Sequence, residues 1–251
     1  MSSLETRKIE PQSSTTVTLG EAGDTVAVPA GAVVKTNTVK DSGGNTILTS
    51  DGAGTLSSVN SAIAGSMTFI SSQTAGVSAT IDFTSGIDST YDEYVFYLVN
   101  MSCSGNDASL GWQANAVGAS GFNETITSTS FHAQHTENNT TAAALTYATG
   151  SDQAQGTAYQ HLSYEQGGGA SYPDMCTSGE LHIFAPSNTT YVKHFHSTFN
   201  SVNVSHGPTV PSSDEYFIAG YINSALAMDE ISFKYTSGTI NAGTIYLYGI
   251  K

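Results

Sequence analysis

Ile231-Ser-Phe-Lys-Tyr235 sets Ile231, Phe233 and Tyr235 on one side of an extended chain and Ser232 and Lys234 on the other. That two-residue period marks a strand with one face in a core and one in water. Working outward, the same texture recurs on both sides. Downstream lies Thr244-Ile-Tyr-Leu-Tyr248, and upstream lie Tyr216 to Ile222, Thr190 to Val204, Glu180-Leu-His-Ile-Phe184 and Ala158 to Tyr164. Further back come Ile126 to Gln134, Leu110-Gly-Trp-Gln113, Tyr94-Val-Phe-Tyr-Leu-Val99, Ala79-Thr-Ile-Asp-Phe83 and Met67-Thr-Phe-Ile70. Ten or more short strands with polar connections predict an all-β chain, folded as an antiparallel β-sandwich of jelly-roll type. Thr140 to Thr149, with three consecutive alanines, is the one place where a helical turn is expected.

Composition agrees. Of 251 residues, 34 are Ser and 32 are Thr, while only 11% are charged. Polarity therefore comes from hydroxyls and glycine, which suit strands and turns better than helices. The 7 Lys+Arg against 21 Asp+Glu give a net charge of -14. No Lys or Arg occurs from Asp41 to Val192, so no basic stripe is available for phosphates, and nucleic-acid binding is excluded. The longest run of bulky apolar residues, Tyr94 to Val99, is far short of the roughly 20 needed to span a bilayer, so no membrane insertion is expected. The opening Met1-Ser-Ser-Leu-Glu-Thr-Arg-Lys8 lacks the apolar core of a signal peptide, which points to synthesis in a cytoplasm. In that setting Cys103 and Cys176 read as two inert thiols, with one disulfide as the alternative under oxidising conditions. Six Asn-x-Ser/Thr sequons among 14 Asn exceed only slightly what so much Ser and Thr produces by chance, and imply no glycosylation.

The chain changes character near residues 60 to 66. No Phe, Tyr or Trp precedes Phe69, and all 24 lie from there to the C-terminus. The earlier part alternates in short pieces (Thr16 to Gly20, Thr25 to Val28, Ala32 to Val34 and Thr46 to Thr49) separated by Gly- and Pro-containing turns. Sixty residues whose large side chains are only Val, Ile and Leu bury little by themselves. Residues 1–62 are therefore expected to be ordered by assembly, wound with copies of themselves or docked on a larger body, with residues 63–251 forming the sandwich.

Signatures of catalysis are missing: there is no nucleophile elbow, phosphate loop, zinc-protease helix or dinucleotide fingerprint. The pairs Asp92-Glu93, Asp214-Glu215 and Asp229-Glu230 are adjacent residues that point to opposite strand faces, so none is a two-carboxylate site. His194-Phe-His196 places two imidazoles on one strand face at a spacing a metal can bridge. A trimer with such a pair on its axis would gather six imidazoles; in a single chain the pair lacks further ligands. His132 and His135 face oppositely on a strand. No cofactor is expected.

Three stretches carry a resemblance. Lys8-Ile-Glu-Pro-Gln-Ser-Ser-Thr-Thr-Val-Thr-Leu-Gly20 with Gly23-Asp-Thr-Val-Ala-Val-Pro-Ala-Gly-Ala-Val33 resembles the N-terminal segment of structural proteins from tailed phages of marine bacteria. Ile81-Asp-Phe-Thr-Ser-Gly-Ile-Asp-Ser-Thr-Tyr-Asp-Glu-Tyr-Val-Phe96 looks like the first sandwich strands of that group, and Ile231 to Lys251 is similar to its ending. The resemblance implies a virion appendage, a tail fibre, head fibre or capsid decoration that is usually trimeric, and supplies no catalytic or ligand residues. A homotrimer, attached to other virion proteins through residues 1–62 and exposing its sandwich on the particle surface, is the expectation. Contact with a host glycan or receptor would then use polar-loop aromatics such as Tyr147, Tyr159 and Tyr172. The rival from another class is a free carbohydrate-binding sandwich, for which Tyr91-Asp-Glu-Tyr94 offers the nearest platform.

Overall fold

A computed structural model describes residues 33–59, 66–139, 143–204 and 210–251, together with Thr25, Ala27 and Ala30. The chain separates into two units, Met1–Ile63 and Ala64–Lys251. The strand expected at Thr16 to Gly20 and the junction at 60–65 lie outside the described residues, as do Val26 and Val28 of the strand expected at Thr25 to Val28, whose Thr25 and Ala27 are not in a strand. Val33 and Val34 are exposed and belong to no strand, and among the described residues no strand pairs with them.

In the first unit, β1 (Thr38–Lys40), β2 (Thr46–Ser50) and β3 (Leu56–Val59) form an antiparallel sheet in that order. Both turns are closed by an aspartate. The Asp41 carboxylate accepts hydrogen bonds from the Asn45 backbone N–H at 2.8 Å and from its side-chain amide at 3.0 Å. Asp51 accepts from the N–H groups of Ala53 and Thr55. These are local turns whose geometry Asp and Gly supply without tertiary help. Among its described residues this unit buries no side chain, so three strands stand here without a core.

Among its described residues the second unit has thirteen strands. In chain order they are β4 (Met67–Thr74), β5 (Ile81–Phe83), β6 (Glu93–Cys103), β7 (Leu110–Ala116), β8 (Ile126–Thr136), β9 (Ala143–Tyr147) and β10 (Ala154–Gly156). They continue with β11 (Gln160–His161), β12 (Thr177–Phe184), β13 (Lys193–Asn203), β14 (Ser212–Ile222), β15 (Met228–Tyr235) and β16 (Ile240–Ile250). One sheet runs β10-β8-β14-β13-β12-β6-β16-β4, with β9 beside β8; the other runs β11-β7-β15-β5. Every pairing in both sheets is antiparallel. The two sheets pack through one apolar cluster and form the β-sandwich. Phe96 of the large sheet meets Phe83 and Phe233 of the small one edge-on, each at 5.3 Å between ring centres, and Trp112 of the small sheet meets Phe195 of the large at 5.0 Å.

β8, β9 and β10 are inserted between β7 and β11, and β13 and β14 between β12 and β15. The eight strands that remain, numbered one to eight along the chain, lie in the orders 1-8-3-6 and 2-7-4-5. The inserted strands extend the large sheet beyond β12. Their inner side is closed by chain from the loops as well as by β7: Gln160 donates to the Ser151 carbonyl and accepts from the Ser128 hydroxyl, and Tyr216 donates to the Tyr164 carbonyl.

Two expectations need correction. The alanines of Thr140 to Thr149 form no helical turn in the described part: Ala143–Tyr147 is strand β9, recruited by the free edge of β8 in the register Phe131↔Tyr147 to His135↔Ala143. Ala158 to Tyr164 gives only the two-residue β11; the rest leaves the sheet so that Tyr159 donates to Ser232 and Leu162 reaches the core.

Candidate functional site

Alternation along β13 buries Lys193, Phe195, Ser197 and Phe199 and exposes His194, His196 and Asn200. The antiparallel register carries that outward set across the large sheet. One row runs Tyr147, Phe131, Phe217, Thr198, Glu180, Tyr97, Tyr246; the next runs Thr129, Ala219, His196, His182, Val95, Tyr248, Phe69. Aromatic and histidine side chains up to 179 residues apart, as Phe69 and Tyr248 are, thus share one outward face. Phe131 and Phe217 stack at 5.0 Å with planes 15° apart, and both remain exposed to solvent.

At the centre, His182 stacks on His196 at 4.4 Å. Its Nδ1 makes a very short contact with the Glu93 carboxylate, and its Nε2 lies 3.6 Å from Glu180. Burial, and then the neighbouring His182, hold His196 below the ordinary imidazole value, against the opposing pull of Glu93 and Glu180. Three shallow depressions lie on this face. The largest, about 530 Å³, is bounded by Phe184, Asn188, Tyr191 and His194 at the β12–β13 turn. Tyr191 is 70% exposed, and the Asn188 carboxamide fixes its loop by accepting from the N–H groups of Thr190 and Tyr191. The second depression lies between Phe131, Phe217, His196 and Thr198, and the third between Tyr97, Glu180, Thr198 and Asn200. Exposed rings beside hydroxyl, amide and carboxylate groups can stack on an apolar ligand face and hydrogen-bond its rim.

His194 and His196 do share a face, as their spacing requires. Each is engaged separately, His194 against Tyr221 at 6.1 Å and His196 against His182 and Phe184. No three His, Cys, Asp or Glu side chains among the described residues are placed to hold a metal ion. The acidic pairs are split between faces. Glu93 joins His182, whereas Asp214 is fully buried and accepts from Ser212, Asn203 and Tyr216. Glu230 accepts from Asn115. The Tyr91-Asp-Glu-Tyr94 platform is not available: Tyr94 is buried with its hydroxyl bonded to Asp88, and Tyr91 packs edge-on against it. Of the three loop tyrosines, Tyr147 is exposed and donates to Asp152, while Tyr159 and Tyr172 are half-buried. Tyr159 lies under the Lys234 ammonium. Cys103 and Cys176 are both free. Tyr191, Phe184 and the His182–Glu93 contact were invisible in the sequence. Only the pairing of β12 with β6 brings the last two residues together across 89 positions.

Fold and face together define an all-β sandwich with one extended, aromatic- and histidine-bearing sheet surface. The chain matches no protein-family model, no curated protein and no solved structure. Among the described residues no helix is long and apolar enough to cross a membrane.

Proposed function

We propose that this chain is a non-enzymatic structural protein of a bacteriophage virion, of tail-fibre or appendage type. It acts as a homotrimer on the particle surface, joined to other virion proteins through residues 1–62. The sandwich is of jelly-roll type, a reading supported by its two four-strand orders, in which strands consecutive in sequence alternate between sheets except for the fourth and fifth, which pair with each other. The observation that carries the proposal is the contrast between the units. A three-strand sheet that buries no side chain among its described residues precedes a sandwich with its own apolar core, as expected of a segment ordered by assembly and of a self-sufficient head. The resemblance of Lys8 to Val33, Ile81 to Phe96 and Ile231 to Lys251 to marine phage structural proteins points the same way. The outward face around Tyr191, His196 and Phe217 is the surface offered to a host glycan or receptor. A head fibre or capsid decoration is the alternative placement in the same class. The depression at Tyr191 favours the second reading, a free carbohydrate-binding module.

The mass in solution of the full chain and of one beginning at Ser66 separates these. A trimer that becomes monomeric on truncation, with the full chain found on purified particles by antibody labelling, supports the virion reading. A full chain that is monomeric and binds polysaccharide without particles supports the free module and ends the appendage proposal.

A further inference from the structure

The large sheet's outward face changes chemistry at its β4 end. Neither the eight residues of β4 nor the eleven of β16 include Asp, Glu, Lys or Arg. The side chains they turn outward are instead led by Met67, Phe69, Tyr246 and Tyr248; β6 beside them adds Tyr97 and Val99, and its outward carboxylate, Glu93, is engaged by His182 of β12. Phe69 and Tyr97 each meet Tyr248 edge-on, at 5.5 and 5.8 Å. Met67, Phe69 and Val99 are 40%, 53% and 42% exposed. Among the described residues β4 pairs with β16 alone and lacks the charges and prolines with which free edge strands are usually protected.

We infer that this aromatic end of the face, β4–β16–β6, is where copies of this chain meet around the axis of the homotrimer. Charge selects the occupant. At -14 the chain repels its own copies over most of its surface, and any ionised group close to a symmetry axis faces its duplicates. A surface whose β4 and β16 strands carry no ionisable acid or base, and whose nearest carboxylate, Glu93, is already engaged by His182, can sit there. A basic partner would gain nothing from an uncharged strip and would be drawn to the acidic surface elsewhere. In this arrangement His194 and His196 lie two or more strands away from the axis, and a six-imidazole site there is ruled out.

The inference rests on the homotrimer reading and is tested apart from it, on the full chain. Phe69→Lys and Val99→Lys each put a cation on the axis in triplicate, and Val117→Lys puts one on an exposed position in the turn after β7. Emission of Trp112 checks that each variant is folded. By sedimentation, Phe69→Lys and Val99→Lys are expected to weaken association about 100-fold or more, the order of like charges juxtaposed at an interface, while Val117→Lys leaves it unchanged. Tyrosine nitration of the unaltered chain gives a second readout: Tyr246 and Tyr248 are protected above the association concentration and modified below it. Equal association of all three variants, nitration independent of concentration, or a full chain monomeric at every concentration overturns the inference. In the first two cases the chain still assembles, through its N-terminal unit, and the virion reading stands.

Discussion

Phe96 is the residue on which the joining of the two sheets can be tested. It lies on β6 with no exposed surface, and its ring reaches across to Phe83 on β5 and Phe233 on β15, each at 5.3 Å. Phe83 and Phe233 are themselves 6.3 Å apart, so three rings close an edge-to-face triangle between the layers. Phe96→Ala removes the ring from a site whose other walls belong to paired strands that cannot collapse inward, and the expected loss is ~3–5 kcal/mol. About 0.5–1.5 kcal/mol of that belongs to each edge-on ring pair. Phe96→Leu keeps most of the volume but neither ring contact, and should cost roughly 1–2 kcal/mol. Trp112, the single tryptophan, is buried against Phe195 and reports global unfolding by its emission. In urea, with a slope of about 2 kcal/mol/M, Phe96→Ala should lower the midpoint by ~1.5–2.5 M at fixed protein concentration. Phe96→Ala and Phe233→Ala combined should lose less than the sum of their separate effects, because they share a contact. A loss under about 1 kcal/mol for Phe96→Ala would show that the sheets are not held together through this triangle, and the sandwich packing argued from it would fail.

Two further outcomes follow from the titrating groups. Burial holds both His161 and His196 below the ordinary imidazole value of 6.5, so on acidification the unfolded chain takes up their protons before the folded one. Stability contributed by keeping these rings neutral is complete above the unfolded value and falls as pH drops through 6.5 toward the depressed folded values; urea midpoints at pH 7.5, 6.5 and 5.5 should decline in that order, and His161→Gln should flatten the decline. Burial pushes the Cys103 thiol up to about 11, with its sulfur directed at the Gly105 carbonyl, so iodoacetamide at pH 8 should label the native chain at the partly exposed Cys176 and reach Cys103 only after denaturation.

Strand positions were legible in the sequence where one face is apolar and the other polar. Ile231, Phe233 and Tyr235 are buried as their spacing requires; β6, β8, β12, β14 and β16 all contain the stretches that announced them, and β13 is shorter than the expected Thr190 to Val204 because Thr190, Tyr191 and Val192 remain in the preceding turn. Errors arose where tertiary context overrides local preference. Three successive alanines favour a helix, yet the unpaired edge of β8 takes Ala143–Tyr147 as a strand, and Tyr159 leaves the sheet to satisfy Ser232. Very short strands such as β1 and β10 carry too few residues for a period to be visible. The candidate surface was legible only in part. His194 and His196 stood out because a single residue separates them in sequence, but the groups that complete their surroundings are supplied by register. His182 arrives on β12, Glu93 on β6, and Tyr191 from a turn that alternation cannot describe.

The two insertions bear on how such a surface can change over generations. The excursion through β8, β9 and β10 leaves from β7 and returns in β11, and these two strands are hydrogen-bonded to each other, so its ends are held together whatever lies between. Closing a longer or shorter excursion costs little once its ends are fixed, since the entropy of a loop grows only logarithmically with length. Recombination or drift can therefore rewrite the sequence between Ala116 and Gln160, and with it Phe131 and Tyr147, while the eight-strand order passes unaltered from parent to descendant.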